Sequence, residues 1–196
     1  GGEVLLGLYG YCIQIYCDFS GYSDMAIGIA LLLGFKIPMN FNAPLTADSM
    51  TDFWRRWHIS LSTWIRDYVY ISLGGNKKGT LRMYFNQMVA MTACGLWHGA
   101  SLNFIVWGVL HGALVCVHKF WSQTVLKHDR RYHPSGLRRF ISVFITFHVL
   151  CFTWLFFRCK DFDAVWVMVK QMFTKFNPSV LPDVFMGYKY VFFLMI

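Results

Sequence analysis

Charge is the property that this chain has least of. Only 14% of its 196 residues are charged, and acidic residues are the scarcer kind, with 10 Asp and Glu against 18 Lys and Arg. Globular chains carry about 25% charged residues, so this sequence cannot cover a soluble surface of its size. A hydrophobic content of 56% also excludes a disordered chain. The composition therefore predicts an integral membrane protein.

Several motifs that carry common chemistries are also missing. The six Cys residues show no paired framework and no CxxC, which argues against a disulfide scaffold and thiol redox chemistry. No HExxH occurs, and His111 and His118 have no evident third ligand, so we predict no metal site. The GxSxG elbow of serine hydrolases is absent, and Gly74-Gly75 lacks the strand and helix that a phosphate loop requires.

Basic residues are concentrated in two segments. Residues 54–82 and 118–139 together hold 12 of the 18 Lys and Arg, against one Asp in each segment. Such clusters can bind nucleic acid, but between uncharged stretches they follow the positive-inside rule for membrane proteins. We therefore predict that both segments are cytoplasmic loops and that the chain has no nucleic-acid partner.

Long uncharged stretches predict the membrane helices. Four stretches contain no charged residue: 4–17, 25–35, 83–117 and 140–157. Residues 140–157 reach about 27 Å as a helix, which is enough to span a bilayer core. Between the first two stretches, we predict that Asp18 to Asp24 form a polar break between two helices. A carboxylate at membrane depth must face protein or water, so we expect a buried network that joins helices there.

The stretch 83–117 is too short for two full spans. Its 35 residues must enter the membrane and return if both basic segments are cytoplasmic. We predict a break at Gly95 to Ala100, after a first leg, 83–96, of about 21 Å. His98 would then lie at membrane depth near a hairpin tip, in a site that is buried in protein or wet. The flanking Gly95 and Gly99 would allow close approach of backbone or substrate.

Residues 51–66 predict an amphipathic helix. Their apolar side chains share one arc of a helix, and three Arg residues fall on the other side. Ser49 followed by Asp52 offers a helix start. This pattern predicts a helix on the cytoplasmic boundary, with Trp rings at headgroup level. His58 falls at the edge of the apolar arc, where it can point inward.

The seven His residues differ in their settings. His118, His128 and His133 lie in the second basic segment, where we expect solvated side chains. His148 lies within an apolar span, where we predict that it makes an interhelical hydrogen bond. His98 is an ionisable group at membrane depth, which makes it a candidate functional residue. An ordinary pKa of about 6.5 suits a histidine to act as a general base.

An ordered series of motifs runs from about residue 10 to residue 160. In chain order these are QIYCDFSGYSDMAIG (14–28), NFNAP (40–44), TDFWRRWHISLSTW (51–64), RDY (66–68), LGGN (73–76), GLWHGA (95–100), WGVLHG (107–112) and TWLFFR (153–158). Together they resemble the membrane-bound O-acyltransferase family, in the bacterial branch that includes alginate O-acetylation and teichoic acid D-alanylation proteins.

The resemblance implies an all-α, polytopic membrane fold around a central cavity, with re-entrant and interfacial amphipathic helices. Residues 1–196 would be a single membrane domain, the central to C-terminal part of a longer protein that continues on both sides. The family's invariant histidine matches His98, and its second polar residue matches His58. The protein would be a multi-pass acyltransferase of the bacterial cytoplasmic (inner) membrane. We predict that His98 is the general base and that His58 supports it.

The implied reaction moves an acyl group, acetyl in the alginate-type branch, from a cytoplasmic thioester to hydroxyls of a cell-surface polysaccharide such as alginate. The donor would be acetyl-CoA or another acyl thioester, with no resident cofactor, and a periplasmic or extracellular acetyltransferase would be a partner. Peptidoglycan O-acetylation and teichoic acid D-alanylation are alternatives within this class. A proton-coupled transporter and a scaffold subunit of an export complex are alternatives from other classes.

Overall fold

The computed structural model describes residues 1–127, 133–175 and 179–187. These residues form helices and no strand, which confirms the all-α prediction. The helices are α1 (Gly2–Leu32), α2 (Met50–Arg56), α3 (Ile59–Ile65), α4 (Thr80–His98), α5 (Leu102–Phe120), α6 (Gly136–Thr153), α7 (Leu155–Arg158), α8 (Phe162–Thr174) and α9 (Val180–Gly187). A 3₁₀ turn covers Pro44–Thr46, and π-helical turns cover Arg66–Tyr70 and Trp121–Val125.

Two of the described helices are long and apolar enough to cross a membrane. They cover Leu102–Val125, with 24 residues and a mean hydropathy of 1.4, and Gly136–Arg158, with 23 residues and a mean hydropathy of 2.1. The second contains the predicted span 140–157. Together with the composition of the chain, these helices fit a membrane protein.

Helices α4 and α5 form an antiparallel hairpin, and the break between them lies where the sequence predicts it. The two backbones are in contact at Gly95. A Cβ added to this glycine would lie 3.1 Å from the Cα of Gly108 and would overlap the carbonyl oxygen of Phe104. Glycines permit this close approach between membrane helices. Gly95 therefore serves helix packing. The predicted first leg, 83–96, is wrong, because α4 covers Thr80–His98 and is about 28 Å long. This is close to the thickness of a bilayer core, so the length of α4 does not support the prediction that His98 lies at membrane depth.

The predicted break in the first apolar region is wrong. Helix α1 continues without interruption through Asp18 to Asp24, and both carboxylates are exposed. Gly21 and the polar residues of this segment each lower helix stability by about 1 kcal/mol or less, which a 31-residue helix tolerates. Of this segment, Ser23 is buried and accepts a hydrogen bond from Asn40 at 3.4 Å.

The single interfacial helix predicted over residues 51–66 is also wrong. The chain forms α2 and α3 with a break at Trp57 and His58, and α2 packs antiparallel against α5. Thr51 hydrogen-bonds to His118 near the end of α5, at 2.9 Å. The predicted cap is present, since Ser49 Oγ accepts from the amide of Asp52 at 3.2 Å.

Residues 50–70 therefore form a helical hairpin, which we call the re-entrant hairpin because it runs along the α4–α5 pair and turns back. Helix α2 runs from the basic end of the α4–α5 pair towards its tip, and α3 with the following π turn returns along α4. The apolar arc packs against other helices, with Phe53, Trp57, Leu61 and Ile65 buried. An apolar arc has the same period whether it faces lipid or protein, which is why the sequence alone favoured an interfacial position.

The second basic segment is more ordered than predicted. Helix α5 and its π turn extend to Val125, so His118 lies in a helix and is half-buried rather than solvated. His133 is exposed and pairs with Asp48 at 2.7 Å. His128, Arg130 and Arg131 lie outside the described residues.

His148 makes the predicted interhelical hydrogen bond. Its Nε2 lies 2.7 Å from the hydroxyl of Tyr9 on α1, and its Nδ1 lies 2.7 Å from the carbonyl oxygen of Phe144. A carbonyl can only accept, so Nδ1 carries the proton and Nε2 accepts from Tyr9. This bond joins α1 to α6.

Candidate active site

His98 lies at the C-terminal end of α4. The helix stops there because Gly99 adopts φ 153°, and Ser101 then caps α5 by accepting a hydrogen bond from the amide of Asn103 at 3.4 Å. The turn that reverses the chain thus leaves the imidazole at the tip of the hairpin.

An aromatic cage surrounds the His98 imidazole. Its ring centroid lies 4.9 Å from those of Trp97 and Phe157 and 5.5 Å from that of Trp107. The ring is half-buried, and among the residues that the structure describes none hydrogen-bonds to it. The cage holds the ring by packing and leaves its nitrogens available to a reacting group.

His58 lies at the tip of the re-entrant hairpin. Its backbone has φ 43° and ψ 57°, the left-handed conformation that reverses the chain between α2 and α3. Its ring packs edge-on against Phe19 of α1 at 4.7 Å and against Trp97 at 6.0 Å. Since Trp97 also contacts His98, the structure brings both predicted histidines together at the end away from the basic segments.

The backbone at this break has polar partners in the segment 40–42. The amide of Ile59 donates to the carbonyl of Asn40 at 3.0 Å, and the amide of Asn42 donates to the carbonyl of Arg56 at 3.0 Å. The side chain of Asn40 also accepts from the amide of Ser60, at 3.2 Å. A broken helix leaves backbone groups that require such partners. Asn40 lies in the NFNAP motif (40–44), but no pattern in the sequence indicates its role at this break.

A cavity of about 350 Å³ leads from the basic end towards His98. It lies between the re-entrant hairpin and the α4–α5 pair, and it reaches Cys94, one helical turn before His98. Three basic residues line it, Arg55, Arg66 and Lys119. Arg66 donates two hydrogen bonds to Asp67, at 2.7 and 3.1 Å, and these lower the pKa of that carboxyl.

One group of possible metal ligands appears among the described residues. Single ligand atoms of Asp48, Asp52 and His133 lie within 4.8 Å of one another. All three are already paired within the protein, since His133 lies 2.7 Å from Asp48 and Arg56 lies 2.8 Å from Asp52. These contacts already use the three side chains, and neither predicted catalytic histidine belongs to the group.

Comparisons with known proteins agree with the motifs. The chain is 46% identical over 182 residues to the probable alginate O-acetylase AlgI of Azotobacter vinelandii, covering 93% of this chain and 35% of that protein. It is 43% identical over 162 residues to the peptidoglycan O-acetyltransferase of Helicobacter pylori, covering 83% and 30%. It is 34% identical over 169 residues to the teichoic acid D-alanyltransferase of Bacillus subtilis, covering 81% and 42%.

The chain thus spans between 30% and 42% of the length of these relatives. The sequence profile of the membrane-bound O-acyltransferase family matches residues 5–162, a region that includes the re-entrant hairpin, the α4–α5 pair and both predicted histidines. The all-helical fold, the apolar spans and this match lead to one conclusion: the chain belongs to the membrane-bound O-acyltransferase family.

Proposed function

We propose that the full protein is an O-acetyltransferase of the bacterial cytoplasmic membrane. It moves an acetyl group from a cytoplasmic thioester to hydroxyls of a cell-surface polysaccharide such as alginate. The observation that carries the proposal is the position of His98. Its imidazole has no hydrogen-bond partner among the described residues and lies one helical turn beyond a cavity that starts among basic residues. In this proposal residues 1–196 are one part of a multi-pass domain whose helices surround a central cavity.

In the proposed reaction His98 is the general base. It takes the proton from the acceptor hydroxyl as that oxygen attacks the carbonyl carbon of the thioester. The new C–O bond forms, the C–S bond breaks, and the leaving thiolate takes the proton back from His98. His58 supports this step from the facing hairpin tip, where it shares the indole of Trp97 with His98.

The donor side of the site fits a thioester that carries phosphates. Arg55, Arg66 and Lys119 provide cationic groups in the lining of the cavity, where the phosphates of coenzyme A or of a phosphopantetheine carrier would bind. The part of the lining at Cys94 is the direction in which the acyl group would reach His98. The donor is a substrate, so this proposal needs no resident cofactor.

The acceptor is inferred from the relatives. The probable alginate O-acetylase is 46% identical to this chain, which favours alginate or a similar polymer, with a periplasmic acetyltransferase as the partner that completes the transfer. Peptidoglycan O-acetylation is the second candidate, because the relative with that name is 43% identical.

Polymer-bound acetate tests the proposal. Cells that express the full-length protein should acetylate their exopolysaccharide, and His98→Gln, which keeps the size but cannot take up the proton, should abolish acetylation. His133→Gln is the matched control, since His133 is exposed and outside the cage, and it should leave acetylation intact. Normal acetate levels in a stably expressed His98→Gln strain would refute the enzymatic role and favour a transporter or scaffold. If acetate appears on peptidoglycan instead, the second candidate is correct.

A further inference from the structure

His111 lies at the centre of a hydrogen-bonded chain that crosses three helices. The indole Nε1–H of Trp54 on α2 donates to Nδ1 of His111 on α5 at 3.2 Å. Nε2 of His111 lies 2.9 Å from the hydroxyl of Thr153 at the end of α6. That hydroxyl donates to the carbonyl of Leu150 at 2.9 Å. His111 is 0% exposed and Thr153 is 2% exposed, so bulk water does not compete for these bonds.

The donor groups fix the direction of every hydrogen bond in this network. An indole N–H can only donate, so Nδ1 of His111 accepts, and the one proton of a neutral imidazole is on Nε2. Thr153 gives its own proton to Leu150 and therefore accepts from Nε2. A second proton on His111 would face the N–H of Trp54. The arrangement thus requires a neutral, singly oriented imidazole.

This hydrogen-bonded network attaches α2 to the spanning helices at mid-length, in addition to the bond between Thr51 and His118 at the start of α2. Helix α2 has only seven residues, and Trp54 lies four positions before His58. The nearby contact of Trp57 with these helices is aromatic, an edge-on pair with Trp154 at 5.0 Å. Apolar packing is not directional, whereas a hydrogen bond fixes how far the helix is rotated and inserted.

His111 is also in contact with the cage around His98. Its ring centroid lies 4.4 Å from that of Trp107, which lies 5.5 Å from that of His98. One imidazole therefore contacts both α2, which leads into the turn at His58, and the indole that packs on His98. We propose that His111 is a positioning residue that sets the placement of His58 relative to His98, an inference that rests on the proposed acyl transfer.

The partners of His111 offer conservative variants for a test in the full-length protein. Trp54→Phe keeps an aromatic ring and removes the donor, and Thr153→Val keeps the shape and removes the hydroxyl. Each should lower kcat by about 10-fold while the KM for the thioester stays within about 2-fold, because small displacements at a catalytic group mainly affect the chemical step. Thr153→Ser should retain the kcat of the wild type. Trp166→Phe is the matched control, since Trp166 is exposed on α8.

Combination with His58→Ala separates positioning from a general loss of structure. If His111 acts through His58, Trp54→Phe should lower kcat by less than about 2-fold in the His58→Ala background. An equal loss in both backgrounds, or a wild-type kcat for Trp54→Phe, would overturn the inference.

Amide hydrogen exchange gives a second measurement that needs no acyl transfer. Exchange over residues 50–60 should become faster in Trp54→Phe and Thr153→Val, and it should not change in Thr153→Ser or Trp166→Phe. Unchanged exchange in Trp54→Phe would contradict the attachment itself. If the wild-type protein transfers no acyl group but the variants still show these differences in exchange, the proposed function is refuted and the attachment is supported.

Discussion

Asn40 accepts two hydrogen bonds from Ser60, one from its amide at 3.2 Å and one from its hydroxyl at 2.7 Å. Both bonds end on the same side-chain oxygen of Asn40, and Ser60 lies two residues beyond His58. Asn40 therefore joins the irregular segment after α1 to the first turn of α3. The position of the candidate histidine depends on a residue eighteen positions earlier in the chain.

We expect Asn40→Ala to weaken the fold at the hairpin tip. The variant removes the two hydrogen bonds that Asn40 accepts from Ser60 at an exposed position, and each is worth about 0.5–1.5 kcal/mol. Thermal unfolding of the full-length protein in detergent should show a lower midpoint, and polymer acetylation should fall. Asn42→Ala is the matched control, because Asn42 is exposed and the bond that it makes to Arg56 comes from its backbone amide. Equal midpoints for the two variants would show that the Asn40 side chain is dispensable.

His58→Ala should lower turnover without abolishing it. The variant removes the ring that packs on Trp97 but leaves the proposed base, His98, in its cage. Steady-state kinetics with a purified thioester donor should show a lower kcat and a higher KM for the donor. His133→Ala provides the comparison at an exposed histidine. Wild-type kinetics for His58→Ala would reduce His58 to a packing residue.

Gly95→Ala should strongly destabilise the α4–α5 hairpin. The added Cβ would overlap the carbonyl oxygen of Phe104, and overpacking of this kind costs about 1–3 kcal/mol. Gly21→Ala is the matched control within a helix, because nothing lies within 4 Å of its added Cβ. Removing a mid-helix glycine should raise stability by about 0.5–1 kcal/mol. Thermal unfolding measures both, and a stable Gly95→Ala protein would contradict the close contact.

The two ends of α4 should be accessible from opposite sides of the membrane. A cysteine at Lys78, in the first basic segment, should react with an impermeant maleimide only after the cytoplasmic membrane is permeabilised. A cysteine at the exposed Ala100, at the hairpin tip, should react without permeabilisation. Both variants are made after replacement of the native Cys residues. Labelling at Lys78 in intact cells would reverse the predicted orientation.

The sequence predicts the α4–α5 break well and the two other breaks badly. The first follows from a length, because 35 uncharged residues between two basic segments must turn back. At residues 18–24 polar side chains look like an interruption, but α1 is continuous there, with Asp18 and Asp24 exposed and Ser23 buried. At His58 the apolar arc continues through the break, and the partner that stabilises the break, Asn40, is distant in sequence.

The candidate site shows the same division. Residue type and setting are enough to select His98 and to predict the bond of His148, whereas His58 is selected through the family resemblance. The network of His111 could not be predicted, because it requires the packing of three helices that are far apart in sequence. The cavity lined by Arg55 and Lys119 likewise appears only when the re-entrant hairpin folds back along α4.

The left-handed backbone at His58 implies a conflict between folding and activity. A residue with a side chain at φ 43° costs of order 1 kcal/mol or more relative to glycine, which adopts this conformation freely. Glycine would relieve this backbone cost, but it would also lose the packing of the ring on Phe19 and Trp97, as alanine does. His58→Gly should accordingly have a higher thermal midpoint than His58→Ala, and both variants should have lower turnover than the wild type.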